Sequence, residues 1–293
     1  MTTGAARKAI VMFEFLTALI EPGNEFLRLA FLAGILASFA FGIMGTYVVT
    51  NRISFIAGAI AHTAFGGIGA GIFLQKRIGL EWFDPMYGAV IYAVLAAVVI
   101  GIVKLYAGER EDTAIGALWA VGMASGLIFI DITPGYFDIT SYLFGDILLI
   151  STKDLYMVAA LDIVVAVLAM LFYNKILAVC FDDEFAGLRG INVGSFYILM
   201  LCITALTVVL LVRVVGIIMV IALLTLPAAI AGRFAKKIWQ MIGLAVMFCM
   251  FFSCTGLAIS YKYSFSSGPT IIMLAGITYL IVIATGNIWS KIR

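Results

Sequence analysis

Nine apolar runs, each about as long as a bilayer is thick and with little between them, decide what this chain can fold into. A helix needs roughly 20 apolar residues to cross, and only a helix or a closed barrel satisfies every backbone group without water. Leu29–Thr50, Ile53–Gln75, Met86–Val103, Thr113–Ile130, Leu155–Asn174, Gly190–Val212, Val214–Gly232, Ile238–Tyr261 and Pro269–Trp289 run 18 to 24 residues each. Arg213 alone parts two of them. If that pair is one broken helix there are eight spans, and otherwise nine. The fold class is all-α, a polytopic transmembrane helix bundle with 8 to 9 spans, read as a single domain over residues 1–293.

Composition agrees. Residues are 64% hydrophobic and 12% charged, against about a quarter charged in soluble domains. A net charge of +2 gives no case for a nucleic-acid partner. Cys180, Cys202, Cys249 and Cys254 have no metal-ligand spacing and read as small buried hydrophobes. Residues 9–20 are interrupted by Glu14 and no small-residue cleavage site follows, so we expect no cleavable signal peptide.

The longest polar interruption in the C-terminal two thirds is Cys180–Ile191, which reads Cys-Phe-Asp-Asp-Glu-Phe-Ala-Gly-Leu-Arg-Gly-Ile. With this stretch in the cytoplasm and all nine runs crossing, ten Lys and Arg residues lie inside and eight outside, a weak positive-inside bias. The long loop Asp131–Asp154 is then external. It carries a Pro-Gly turn signal at 134–135 and the short apolar stretch Ser141–Ile150, which suits an interfacial or re-entrant piece.

Ionisable groups inside the spans are few. His62, the only histidine, lies ten residues into the second run. An ionisable group at that depth is costly and marks a site by default, and a neutral imidazole suits a borderline divalent cation; a histidine at a helix contact is the other reading. Asp162 lies inside the fifth run, either facing a pathway or holding a neighbouring helix, and we favour the second. Asp131, Asp138 and Asp146 border the outer loop and would draw cations, although loop carboxylates need no function. Gly66, Gly67, Gly69 and Gly71, with Gly122 and Gly126, allow close helix approach, for packing or for sliding. In Val215–Arg233, Pro227 kinks or ends a helix, Thr225 is placed to satisfy a freed carbonyl, and Gly216 adds a bending point. No residues form a nucleophile, base and oxyanion set, and no Walker motif is present, so the chain does not read as an enzyme.

Six stretches, in order, carry a family resemblance: Ala59–His62, Asp112–Gly116, Tyr142–Leu148, Asp182–Gly190, Val215–Ala231 and Ser267–Thr270. Over about Phe26 to Trp289 the chain resembles the membrane-spanning permease subunit of bacterial ABC importers for zinc, manganese or ferrous iron. The resemblance implies a multi-pass protein of the bacterial cell membrane, the inner membrane in a Gram-negative cell. It implies a second permease subunit, identical or a sister chain, ABC ATPase subunits on the cytoplasmic side, and an extracytoplasmic metal-binding protein. No cofactor is held tightly: a divalent metal ion is the cargo, and ATP is used by the partner. Residues 180–191 would be the coupling segment, with Asp182, Asp183, Glu184, Phe185, Ala186, Leu188, Arg189 and Gly190 meeting the ATPase. His62 would touch the ion in transit, with Asp138 and Asp146 as weaker outer contacts, and Gly216, Thr225 and Pro227 would bend or gate. Two departures matter. Gly58 stands where the family usually has Asp, and Thr113–Ile130 lacks the further histidine of some zinc members. A zinc cage within this chain is therefore not expected. The alternative function is a self-contained secondary transporter for metal or small solutes, driven by an ion gradient.

Overall fold

The computed structural model describes residues 14–15, 17–21, 23–107, 111–135, 137–145 and 150–292. Among them the regular structure is helical: α1 (Glu25–Thr50), α2 (Ser54–Lys76), α3 (Pro85–Ile102, continued by a π-helical turn Val103–Ala107), α4 (Glu111–Asp131), α5 (Ile139–Phe144), α6 (Thr152–Leu171), α7 (Tyr173–Phe181), α8 (Asp183–Leu188), α9 (Val193–Val215), α10 (Ile217–Phe234), α11 (Ile238–Tyr263) and α12 (Ser267–Ile292). Nine of these are long and apolar enough to cross a membrane, namely α1 to α4, α6 and α9 to α12. The protein is a polytopic membrane protein, and the two runs expected to part at Arg213 are separate helices, although α9 continues through Arg213 to Val215 and the break falls at Gly216.

The edges differ from the sequence reading. The fifth span stops at Leu171, and α7 and α8 follow as short helices of their own. The stretch between the fifth and sixth spans therefore begins near Phe172, and α7 precedes its polar part. Gly190 does not open the sixth span. Asn192 does, its side chain accepting the Ser195 N–H at 3.0 Å, as an N-cap should. The apolar stretch expected at Ser141–Ile150 contains the end of the six-residue α5.

The chain forms two compact units. One takes the chain up to Thr46, Phe144–Ile163 and the chain from Val214 onward; the other takes Tyr47–Leu143 and Val164–Arg213.

In the second unit α2 is the centre. Its span is 89% buried, against 17% for the last span, Ser267–Thr285. Such burial needs close neighbours on more than one face, and the glycines supply them. Gly67 and Gly71 lie against the backbone of α3 at Gly88 and Pro85, while Gly66 and Gly69 lie against that of α4 at Gly122 and Gly126. A methyl on Gly122 would stand 2.6 Å from the Thr63 Cα. Packing accounts for the glycine cluster, as small residues do between membrane helices.

In the first unit α10, α11 and α12 pack on one another. The carboxylate of Asp162 on α6 accepts the Ala40 N–H of α1 at 3.0 Å. That is the helix-holding role favoured for it.

Candidate functional site

His62 lies on α2 about one turn before the glycines that meet α3 and α4. It is 9% exposed, and its Nδ1 is buried without a hydrogen-bond partner among the described residues. Next to it, the Thr63 hydroxyl shares its one proton between the Ala59 carbonyl at 2.8 Å and the Leu118 carbonyl of α4 at 3.1 Å. The imidazole stacks on Trp119 of α4, ring centroids 4.3 Å apart. The bundle thus fixes one histidine deep in a span. Among the described residues no three His, Cys, Asp or Glu side chains gather into a group able to hold a metal ion. Asp138 is exposed between α4 and α5, and Asp146 lies outside the described residues.

The connector is a built object. Asp182 is the N-cap of α8, its carboxylate accepting the Phe185 N–H at 2.8 Å. Gly190 ends the helix with φ +76, while its N–H reaches the Gly187 carbonyl and the Ile191 N–H reaches that of Ala186. This is a Schellman stop, and its left-handed residue favours glycine. Ala186 is fully buried and anchors the turn. Leu188 is 89% exposed, Phe185 is half exposed, and Asp183 and Glu184 face out. The Arg189 guanidinium lies 4.7 Å from the centre of the Phe185 ring. A capped helix with an acidic first turn and an exposed leucine at its end presents one defined shape.

The root of the connector is tied to the end of α1. The Asn51 amide donates to Cys180 Sγ at 2.7 Å, and burial pushes that thiol up to about 11, with the Asn51 bond pulling the other way. A cavity of about 430 Å³ opens there, lined among others by Arg52, Lys104, Cys180, Asp183 and Tyr197.

In the first unit the break between α9 and α10 is a single residue. Gly216 has φ +80 and ψ 162, a conformation closed to other residues without strain. A side chain there would also run into Phe144 and Gly145, and one on Gly145 would run into Val215 and Gly216. Gly268 completes the crossing: a methyl on it would stand 2.6 Å from the Phe144 carbonyl oxygen. Three of the stretches singled out in the sequence, near 144, 216 and 268, meet here backbone to backbone.

A family model described as the ABC 3 transport family matches residues 23–286. The chain belongs to that family. A protein of Chlamydia pneumoniae named a probable metal transport system membrane protein is 40% identical over 267 residues, 90% of this chain and 91% of its own. The manganese transport system membrane protein MntC of Listeria monocytogenes is 32% identical over 268 residues, 91% and 92% of the two chains. Among solved structures, PsaBC from Streptococcus pneumoniae in complex with Fab matches with a TM-score of 0.80 at 28% identity, covering 92% of this chain and 94% of that one.

For this member of the family the structure corrects one reading and adds a residue. Thr225 donates to the Ile221 carbonyl at 2.8 Å, inside its own turn. The carbonyl that Pro227 leaves without its helical donor belongs to Leu223, and the buried Cys249 thiol of α11 points to it at 3.5 Å. In the sequence Cys249 reads only as a small hydrophobe. An S–H donor is weak, and nothing in the spacing of the two residues announces the pairing.

Proposed function

We propose that the chain is the permease subunit of an ATP-driven importer for divalent transition-metal ions, manganese, zinc or ferrous iron. It works with a second permease subunit, identical or a sister chain, with ABC ATPase subunits in the cytoplasm, and with an extracytoplasmic binding protein that delivers the ion. The observation that carries the reading is the shape of residues 182–190: a short helix capped at both ends and holding Leu188 out into solvent, in a family of ABC transporters. An exposed leucine with acidic neighbours on a rigid turn suits a groove on another protein, and rigidity is what lets a groove that closes move the spans behind it. The whole of residues 1–293 acts as one transmembrane permease domain, with 180–191 as its coupling segment. His62 touches the ion briefly on its way. Asp138 and Asp146 draw it in, and α10 bends at the Pro227 turn from a start held at the Gly216 break. A lone nitrogen ligand holds a cation weakly, which favours passage over capture.

The test is metal uptake by the complex carrying Glu184→Ala with Leu188→Ala. Uptake is expected to collapse while the chain still assembles in the membrane. Normal uptake at normal expression would overturn the docking role.

A further inference from the structure

The side chain that His62 touches has no part in the reading above. Trp119 on α4 is stacked on the imidazole with the ring planes 20° apart. Two neighbours set that position. One helical turn before His62, Gly58 has no side chain, and a methyl there would stand 3.3 Å from Cζ3 and 3.6 Å from Cη2 of the indole. One residue after His62, the Thr63 hydroxyl bonds the carbonyl of Leu118, the residue just before Trp119. That bond, with Gly122 set against the Thr63 Cα, fixes the register of α4 on α2. The indole is thus held over both Gly58 and His62.

We propose that Trp119 is a positioning residue for His62. Seated over the bare Cα of Gly58, the indole fixes the plane of the imidazole and covers one of its faces, so that an ion meets the ring only at its edge. A metal ion bonds a ring nitrogen in the plane of the ring, so a covered face does not hinder coordination. It does remove the freedom about the terminal side-chain torsion, which is otherwise broad for histidine. The inference extends the reading of His62 as a contact on the ion's path. It also gives a reason for Gly58: a carboxylate side chain at that position and the indole of Trp119 would claim the same space.

His62 is the only histidine in the chain, so a reagent for imidazole reports on this one site. The full-length chain, purified with a histidine-free tag, is treated with diethylpyrocarbonate, and the peptide containing residue 62 is followed by mass. Trp119→Ala is expected to react roughly fivefold faster, the change that follows from losing one stacked aromatic pair. Gly58→Asp is expected to speed the reaction too, because the new side chain displaces the indole, and it keeps the test open if Trp119→Ala fails to fold. Trp119→Phe is expected to stay near the wild-type rate. Equal rates for wild type, Trp119→Ala and Gly58→Asp would overturn the proposal, as would Trp119→Phe reacting as fast as Trp119→Ala. In the complete transporter, Trp119→Ala should lower uptake and Trp119→Phe restore it. Normal uptake by His62→Ala would sink the path role of the histidine and leave the reactivity result standing by itself.

Discussion

Gly58 and Gly216 both lie where another part of their own unit comes close to the bare Cα, but what comes close differs. At Gly58 it is the far edge of an indole ring, which can swing. At Gly216 it is the backbone of Phe144 and Gly145, which cannot, and the residue's own φ is positive as well. The first contact is therefore adjustable, with a cost set by one side chain. The second is all-or-none, with a cost set by three strands of main chain. A glycine against a side chain tunes a site, and a glycine against backbone holds a fold.

The comparison breaks first at Gly216. Gly216→Val should cost on the order of 3 kcal/mol or more, from backbone strain and overpacking together. Little folded protein should survive gel filtration in detergent. If the variant elutes and melts like wild type, the crossing does not hold the unit. His62→Ala comes next and acts on function alone: metal uptake should fall at least several-fold, with assembly and melting unchanged. Unaltered rates for manganese, zinc and iron would remove His62 from the path.

What was legible in the sequence follows from the length of the signal. The runs around Leu29–Thr50 and Ile238–Tyr261 are over 20 residues without a charge, and such predominantly apolar runs form helices in a bilayer, so the spans were readable to within a few residues. The end of α6 was not, because Phe172 and Tyr173 are as apolar as their neighbours and nothing marks the break between Leu171 and α7. The polar connector was visible by composition, while its caps at Asp182 and Gly190 became meaningful only once the helix between them was seen. His62 stood out by type. Its partner Trp119, 57 positions along the chain, did not, because the pairing depends on how α4 is set on α2. Gly145, Gly216 and Gly268 appeared as three unrelated motifs, and only the fold brings them to one point. The pairing of Cys249 with Leu223 had no signal at all.

Smaller changes sharpen the contrast. Asp182→Ala removes the N-cap of α8 and should cost that helix about 1 kcal/mol. Overall melting should barely move, and ATP-driven uptake should drop; if uptake is unaffected, the order of the segment is not what couples it. Cys249→Ala leaves the Leu223 carbonyl without its thiol and should cost under about 1 kcal/mol by melting, with Cys249→Ser close to wild type. An equal loss in both variants would mean that volume, not donation, matters there. Gly58→Ala should be the mildest, a shift of a few tenths of an ångström in the indole with melting unchanged, in direct contrast to Gly216.

The most direct measurement is uptake of manganese, zinc or ferrous iron into vesicles that hold the whole transporter, with and without ATP, for the wild type and for Leu188→Asp. The wild type should take up metal only with ATP. Leu188→Asp should take up none, although its ATPase subunits still hydrolyse ATP when free. Metal entry by this chain without ATP, or undiminished ATP-driven entry with an aspartate at position 188, would contradict the account at its base.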